Sequence, residues 1–310
     1  MKKILVLALT LIMLLGIGST AMAEGKVFGY TCMTMNNPFF IVLEKSIREA
    51  VEANGDKLIT VDPSMDVALQ ISQVEDLIVQ EIDAIFLNPV DWEGIAPALD
   101  ELNKAGIPII NFDAEVKDLD KVTAYVGSNN YNAGYVCGKD LVDNNPDGGN
   151  IVVLDSPTMN SVNDRISGFF AALEEAGATE KFPVVHQADA LGDLPTAMGI
   201  MDDVLQRDIE ILAIMGGNDP TALGALASCK AAGRTEIKIY GVDGSPDAKL
   251  EISKGGLTGS GAQSPISIGK DSVTVAYKIL DGEAFELRTP VNTFMINADN
   301  IAEYGVDGWQ

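Results

Sequence analysis

The chain of 310 residues is 47% hydrophobic and 21% charged. That balance excludes global disorder, and the length suits two lobes of about 100–150 residues each. Its formal net charge of −24 repels phosphate backbones and anionic lipid, so nucleic-acid and membrane-surface binding are excluded as first readings.

The first 23 residues read as a targeting segment. Lys2 and Lys3 precede an apolar run, Ile4 to Ile17, which is short for a membrane span, and Ala21-Met22-Ala23 gives the small-x-small pattern of a cleavage site. Cleavage is expected after Ala23, with an uncleaved anchor as the alternative. The mature chain then starts at Glu24, and losing two lysines takes its charge from −24 to −26. No second long apolar run follows, so an exported, soluble protein is expected.

Beyond it, short β-rich runs alternate with amphipathic stretches. Strands are predicted over Lys26–Cys32, Lys57–Val61, Ala84–Leu87, Ile107–Phe112, Thr123–Val126, Ile151–Leu154, Pro183–Gln187, Ile211–Met215 and Ile237–Val242, with a Gly-rich strand over Leu257–Ala262. Helical periodicity is clear in Phe40–Asn54, stopped by Asn54-Gly55, and in Arg165–Ala176, stopped by Gly177. Such alternation gives βαβ units and parallel sheets covered on both faces. The fold class is therefore α/β with two doubly wound parallel-sheet lobes, an eight-fold barrel being the rival.

Asn36, Asn37, Asn88, Asp113, Asn218, Asp243 and Gln263 each follow a predicted strand. Ligands of open α/β sheets bind outside the carboxyl ends of strands, so these residues can converge on one site; turn and N-cap roles are the plainer alternative. Asn37-Pro38-Phe39-Phe40 adds a helix start and two rings suited to the C–H face of a sugar or to stapling the helix. Trp92 could stack at a cleft mouth or pack on its own helix. Asp113 and Asp243 offer charged acceptors to hydroxyls. Arg165, read as lying at a helix start against the dipole, suggests a ligand contact or a surface ion pair.

Other chemistries lack their residues. One histidine, His186, excludes a multi-histidine metal site. Cys32, Cys137 and Cys229 form no CxxC motif and read as small buried hydrophobes, with one Cys137–Cys229 or Cys32–Cys137 bridge as the alternative. No P-loop, GxGxxG, GxSxG or HExxH motif is present, so no cofactor, metal or catalytic residue is expected.

NNPFF at Asn36–Phe40, NP-D at Asn88–Asp91, RxxGF at Arg165–Phe169, NDxxALGAL at Asn218–Leu226 and VDGSPD at Val242–Asp247 together resemble the periplasmic sugar-binding proteins of ABC transporters, in the ribose-binding-protein-like group. The resemblance implies the type I periplasmic binding fold, two lobes joined by a three-segment hinge, with crossings near Ser128, Gln263 and Asn292. The lobes would be 24–128 with 264–292, and 129–263 with 293–310. It implies ligand contacts at Asn37, Phe39, Phe40, Asn88, Asp113, Arg165, Asn218, Asp243 and Gln263. Ala114, Ala190 and Val242 depart from the ribose pattern, by one guanidinium and two rings, and a roomier pocket is expected. The implied role is capture of a monosaccharide, pentose or hexose, by a periplasmic monomer that delivers it to ABC permease transmembrane subunits. A chemoreceptor or sensor kinase as partner, and a non-sugar hydroxylated ligand, are the alternatives. A repressor effector domain and an exported hydrolase are weaker readings.

Overall fold

The computed structural model describes residues 25–310, so the expected leader and its cleavage point lie outside the described residues. The first sheet takes β1 (Val27–Thr31), β2 (Lys57–Val61), β3 (Ala84–Leu87), β4 (Ile109–Phe112) and β5 (Ala124–Ser128). Between them run α1 (Pro38–Ala53), α2 (Val67–Val79) and α3 (Ala96–Ala105). The chain then builds a second sheet from β6 (Ile151–Asp155), β7 (Val184–Asp189), β8 (Ala213–Gly216), β9 (Lys238–Asp243) and β10 (Gly259–Ala262). Its helices are α4 (Asn130–Asn144), α5 (Asn160–Glu175), α6 (Leu194–Leu205), α7 (Asp219–Ala231) and α8 (Pro246–Ser253). Next, α9 (Pro265–Leu280) returns to pack on α1, β11 (Arg288–Val291) joins the first sheet, β12 (Phe294–Asn297) joins the second, and α10 (Ile301–Tyr304) follows.

The sheet orders are β11-β5-β4-β3-β1-β2 and β12-β10-β9-β8-β6-β7. All pairings are parallel except β10 with β12. Both sheets are open, so the barrel alternative falls. Strands β3, β4 and β8 are buried along their whole length, as expected for sheets covered on both faces. β11 and β12 were not anticipated: each is four residues long, and Pro290 places β11 at an edge.

The chain passes between the sheets three times, after Ser128, after Ala262 and after Val291. The first and third passages are tied together. Asn132 Nδ2 donates to Thr293 O and Oγ1, both at 3.0 Å, and Thr293 Oγ1 donates to Asn129 O at 3.0 Å.

Among the described residues, five helices begin with a side-chain cap followed within two residues by proline. The caps are Asn37, Asp193, Asn218, Ser245 and Ser264. Proline fits the first turn because its missing N–H would have no intrahelical partner there. These starts follow the carboxyl ends of strands, so several helix N-termini face the space between the sheets.

Helices α4 and α5 touch backbone to backbone. A Cβ on Gly134 would collide with Arg165 O, and one on Gly168 with Tyr131 O. This contact explains the glycine of the RxxGF motif. It also corrects the reading of Arg165 as a helix-start residue: α5 begins at Asn160, so Arg165 lies in its second turn, facing inward. All three cysteines are free and buried, which removes the disulfide alternative, and burial pushes the Cys32 thiol up to about 12.

Candidate functional site

A cavity of about 730 Å³ lies between the two sheets at the carboxyl ends of their strands. Of the nine residues expected to contact ligand, Asn37, Phe39, Phe40, Asp113, Arg165, Asn218, Asp243 and Gln263 line it. They come from both sheets and span over 200 positions of sequence. The cleft lips meet: Trp92 N donates to Thr158 O at 3.2 Å, and Trp92 lies under Lys117 Nζ, 5.7 Å from its ring centroid.

Asn88 is the exception. It is fully buried behind the wall and is not among the lining residues. Its Nδ2 donates to Phe112 O at 3.1 Å and to Asp113 Oδ2 at 3.3 Å. Asn88 therefore orients the carboxylate that faces the cavity, and the lining role at this strand end passes to Val90 and Asp91.

The polar end is built around Arg165, 4% exposed. Nε donates to Asn130 Oδ1 at 2.8 Å, Nη1 donates to Gly217 O at 2.9 Å, and Nη1 lies 3.8 Å from Asp243 Oδ1. The glycine contact between α4 and α5 is what brings Asn130 within reach. Gln263 Nε2 donates to the same Asp243 oxygen at 2.8 Å, while its Oε1 is buried without a partner. Asp113 Oδ1 is likewise buried and unpartnered. Burial pushes the Asp113 carboxyl up to about 6 although Arg165 and Asn88 pull it back. Burial raises Asp243 too, opposed by Arg165 and reinforced by Asp219.

Asn37 and Asn218 serve both readings weighed from sequence. Asn37 Oδ1 accepts from Phe39 N at 2.9 Å and caps α1. Asn218 Oδ1 caps α7 through Thr221 N at 3.0 Å, and its Nδ2 donates to Gly192 O at 3.0 Å. Phe39 and Phe40 are both in the core cluster and on the cavity wall, packed edge to face at 5.5 Å.

Trp309 was missed. It meets Phe39 edge to face at 5.8 Å and extends the aromatic wall. A lone tryptophan in a polar tail between Gly308 and Gln310 was the available signal. Met33, Met65, Met159, Leu191 and Leu194, also missed, make much of the remaining wall. Ala114, Ala190 and Val242 are buried and their short side chains do not reach the cavity lining.

Backbone strain concentrates here. Among the described residues six non-glycine positions have positive φ, and five of them, Ser64, Met65, Asp113, Leu191 and Asp243, line the cavity. Such conformations cost about 1–3 kcal/mol each and persist where the surroundings over-determine them, as at ligand sites.

A family model described as a periplasmic binding protein domain matches residues 28–284. The chain belongs to that family. It is 34% identical over 256 residues to the ribose import binding protein of Bacillus subtilis (strain 168), covering 82% of each chain. It is 28% identical over 297 residues to that of Salmonella typhimurium, covering 96% of this chain and 98% of that one. It superposes with a TM-score of 0.85, at 28% identity, on an ABC transporter solute-binding protein from Bacillus halodurans C-125 solved with bound myo-inositol, covering 92% of this chain and 99% of that one. The fold is the two-lobed parallel-sheet fold of these proteins.

Proposed function

We propose that this protein is the solute-binding component of a sugar ABC import system. It captures a monosaccharide in the cleft and presents the closed form to the permease transmembrane subunits. The observation that carries the reading is the cavity between the sheets. There Asp113, Phe39 and Phe40 from the first sheet and its helix α1 share one wall system with Arg165, Asp243 and Gln263 from the second sheet and its helix α5. Acceptors, a guanidinium and apolar rings are what a hydroxylated ring with apolar C–H faces requires. Closure is favoured by contacts that need both lobes. A ligand bridging Asp113 and Arg165 makes them.

We set the lobe limits at 24–128 with 264–292 and 129–263 with 293–310, with the three passages as hinge. Export to the periplasm after cleavage at Ala23, and action as a monomer, complete the reading. Binding rather than catalysis is favoured by where the histidine lies. His186 is on β7, paired with Arg207 Nη1 at 3.5 Å and away from the cavity lining.

The test is a thermal-shift screen of the purified protein against pentoses, hexoses and polyols. A ligand at about 100 times its Kd adds roughly 2.7 kcal/mol, a rise on the order of 2–6 °C. The shift is expected to vanish in Arg165→Ala and Asp243→Ala. A panel with no shift overturns the reading.

A further inference from the structure

Resting on that reading, the charge of the cleft narrows the class of ligand. Among the described residues, the cavity is lined by one cation, Arg165, and by five acids, Asp91, Asp113, Asp193, Asp243 and Asp247. Asp91, Asp193 and Asp247 lie in helix-start or loop positions; the first two cap backbone N–H groups. Asp113 and Asp243 differ, because each is only 3% exposed.

Two of the guanidinium's five N–H groups are already committed. Its Nε and Nη1 hydrogen bonds go to Asn130 and Gly217, and its nearer carboxylate is Asp243. Asp113 has no ion pair among the described residues; one oxygen accepts only from Asn88, and the other has no partner at all. Behind this wall the fully buried Asp219 accepts from Ser245 N at 2.7 Å and Ser260 Oγ at 2.7 Å. The fully buried Lys249 feels Asp219 and Asp307. The inner site thus holds three buried carboxyl groups, Asp113, Asp219 and Asp243, and two buried cations, Arg165 and Lys249. An unpaired buried carboxylate is costly, and the deficit falls on Asp113.

A neutral hydroxyl would satisfy the vacant oxygen but leave the charge. A protonated amine satisfies both, and charge-assisted hydrogen bonds are roughly twice as strong as neutral ones. The aromatic wall of Phe39, Phe40 and Trp309 adds faces that attract a cation.

We propose that the cleft selects a hydroxylated ligand carrying a protonated amine, an amino sugar or amino polyol, with the ammonium on Asp113 and the hydroxyls shared among Asp243, Gln263 and Arg165.

The test is calorimetric titration of the purified protein at pH 7 with matched probes. These are D-glucosamine, D-galactosamine and D-mannosamine, their parent hexoses and their N-acetyl derivatives, with an aminodeoxy-inositol against myo-inositol. At least one amine is expected to bind about 10–100-fold tighter than its parent, the range for a hydrogen bond to a charged group. N-acetylation should remove the advantage, and Asp113→Asn should bring the amine down to its parent's affinity. The wild-type matched pairs decide the matter even if that variant folds poorly. A parent sugar binding as well as or better than its amine would overturn this inference and leave the sugar-binding reading standing. Binding by neither kind would overturn both.

Discussion

Replacing Arg165 by methionine keeps most of the side-chain length and removes the charge. The wild-type guanidinium makes hydrogen bonds of 2.8 and 2.9 Å and lies 3.8 Å from the buried Asp243 carboxylate. Removing one partner of a buried charge pair costs about 3–5 kcal/mol, a range that includes the lost hydrogen bonds. Asp243 limits the loss, because it can take up a proton. Burial already raises its pKa and Arg165 is the main influence opposing that rise, so the variant's native pKa moves further above the unfolded value of about 3.9. A native state that binds a proton more tightly than the unfolded state loses stability as pH rises between the two pKa values. Because burial already holds the wild-type carboxyl at about 8, the two proteins differ by a nearly constant amount below that pH, and the variant's extra loss opens above it. Above pH 9 the ligand-free variant should melt on the order of 5–8 °C below wild type, and below pH 7 by less. Thermal unfolding followed by circular dichroism at pH 6, 7, 8, 9 and 10 measures it. An equal loss at every pH would refute the claim that Arg165 opposes the rise of the Asp243 pKa.

Asp113 makes a second pH signature. Its carboxyl stands at about 6 in the native state, so ligand-free wild type should lose about 3 kcal/mol relative to Asp113→Asn as pH rises from 3 to 7, and little above it; urea unfolding in parallel buffers would show a flat difference if burial does not hold that proton. Gly134→Ala forces α4 and α5 apart and should cost about 1–3 kcal/mol by overpacking, with weaker sugar binding because Asn130 and Arg165 move. The control Gly199→Ala, in open space inside α6, should be neutral to stabilising by about 1 kcal/mol; equal losses in both would discount the backbone contact. Thiol titration with an aromatic disulfide reagent should find no reactive cysteine in the native protein and three after denaturation, and fast native labelling of any one would contradict their burial.

Much of this architecture was legible because its signals are local. Lys57–Val61 and Ala84–Leu87 read correctly to the residue, and Asn54-Gly55 ended α1 as expected, with Gly55 at φ 82°. The strand-end rule gathered Asp113, Asp243 and Gln263 although they are far apart in sequence. Asn88 obeyed the same rule and still missed the cavity, because the rule places a residue at a strand end but does not say whether its side chain turns toward ligand or toward a neighbour's carboxylate. Arg165 was found for an incomplete reason, since the helix start lies five residues earlier. Trp309 and the methionine and leucine wall escaped because side chains that meet only across a cleft leave no period in the sequence.

The order of the chain also sets an order of assembly. β5 pairs on one side with β4 and on the other with β11, whose register joins Ser128 to Val291. At about 5–20 residues per second, that closing strand emerges from the ribosome roughly 8–30 s after its partner. All of 129–263 is made in between, so the second sheet's five parallel strands are complete while the first still shows a bare edge. An unpaired edge is a template for wrong partners. The second sheet is in the same position, since its β10 edge stays open until β12 arrives, so both sheets are closed only by the last segments of the chain.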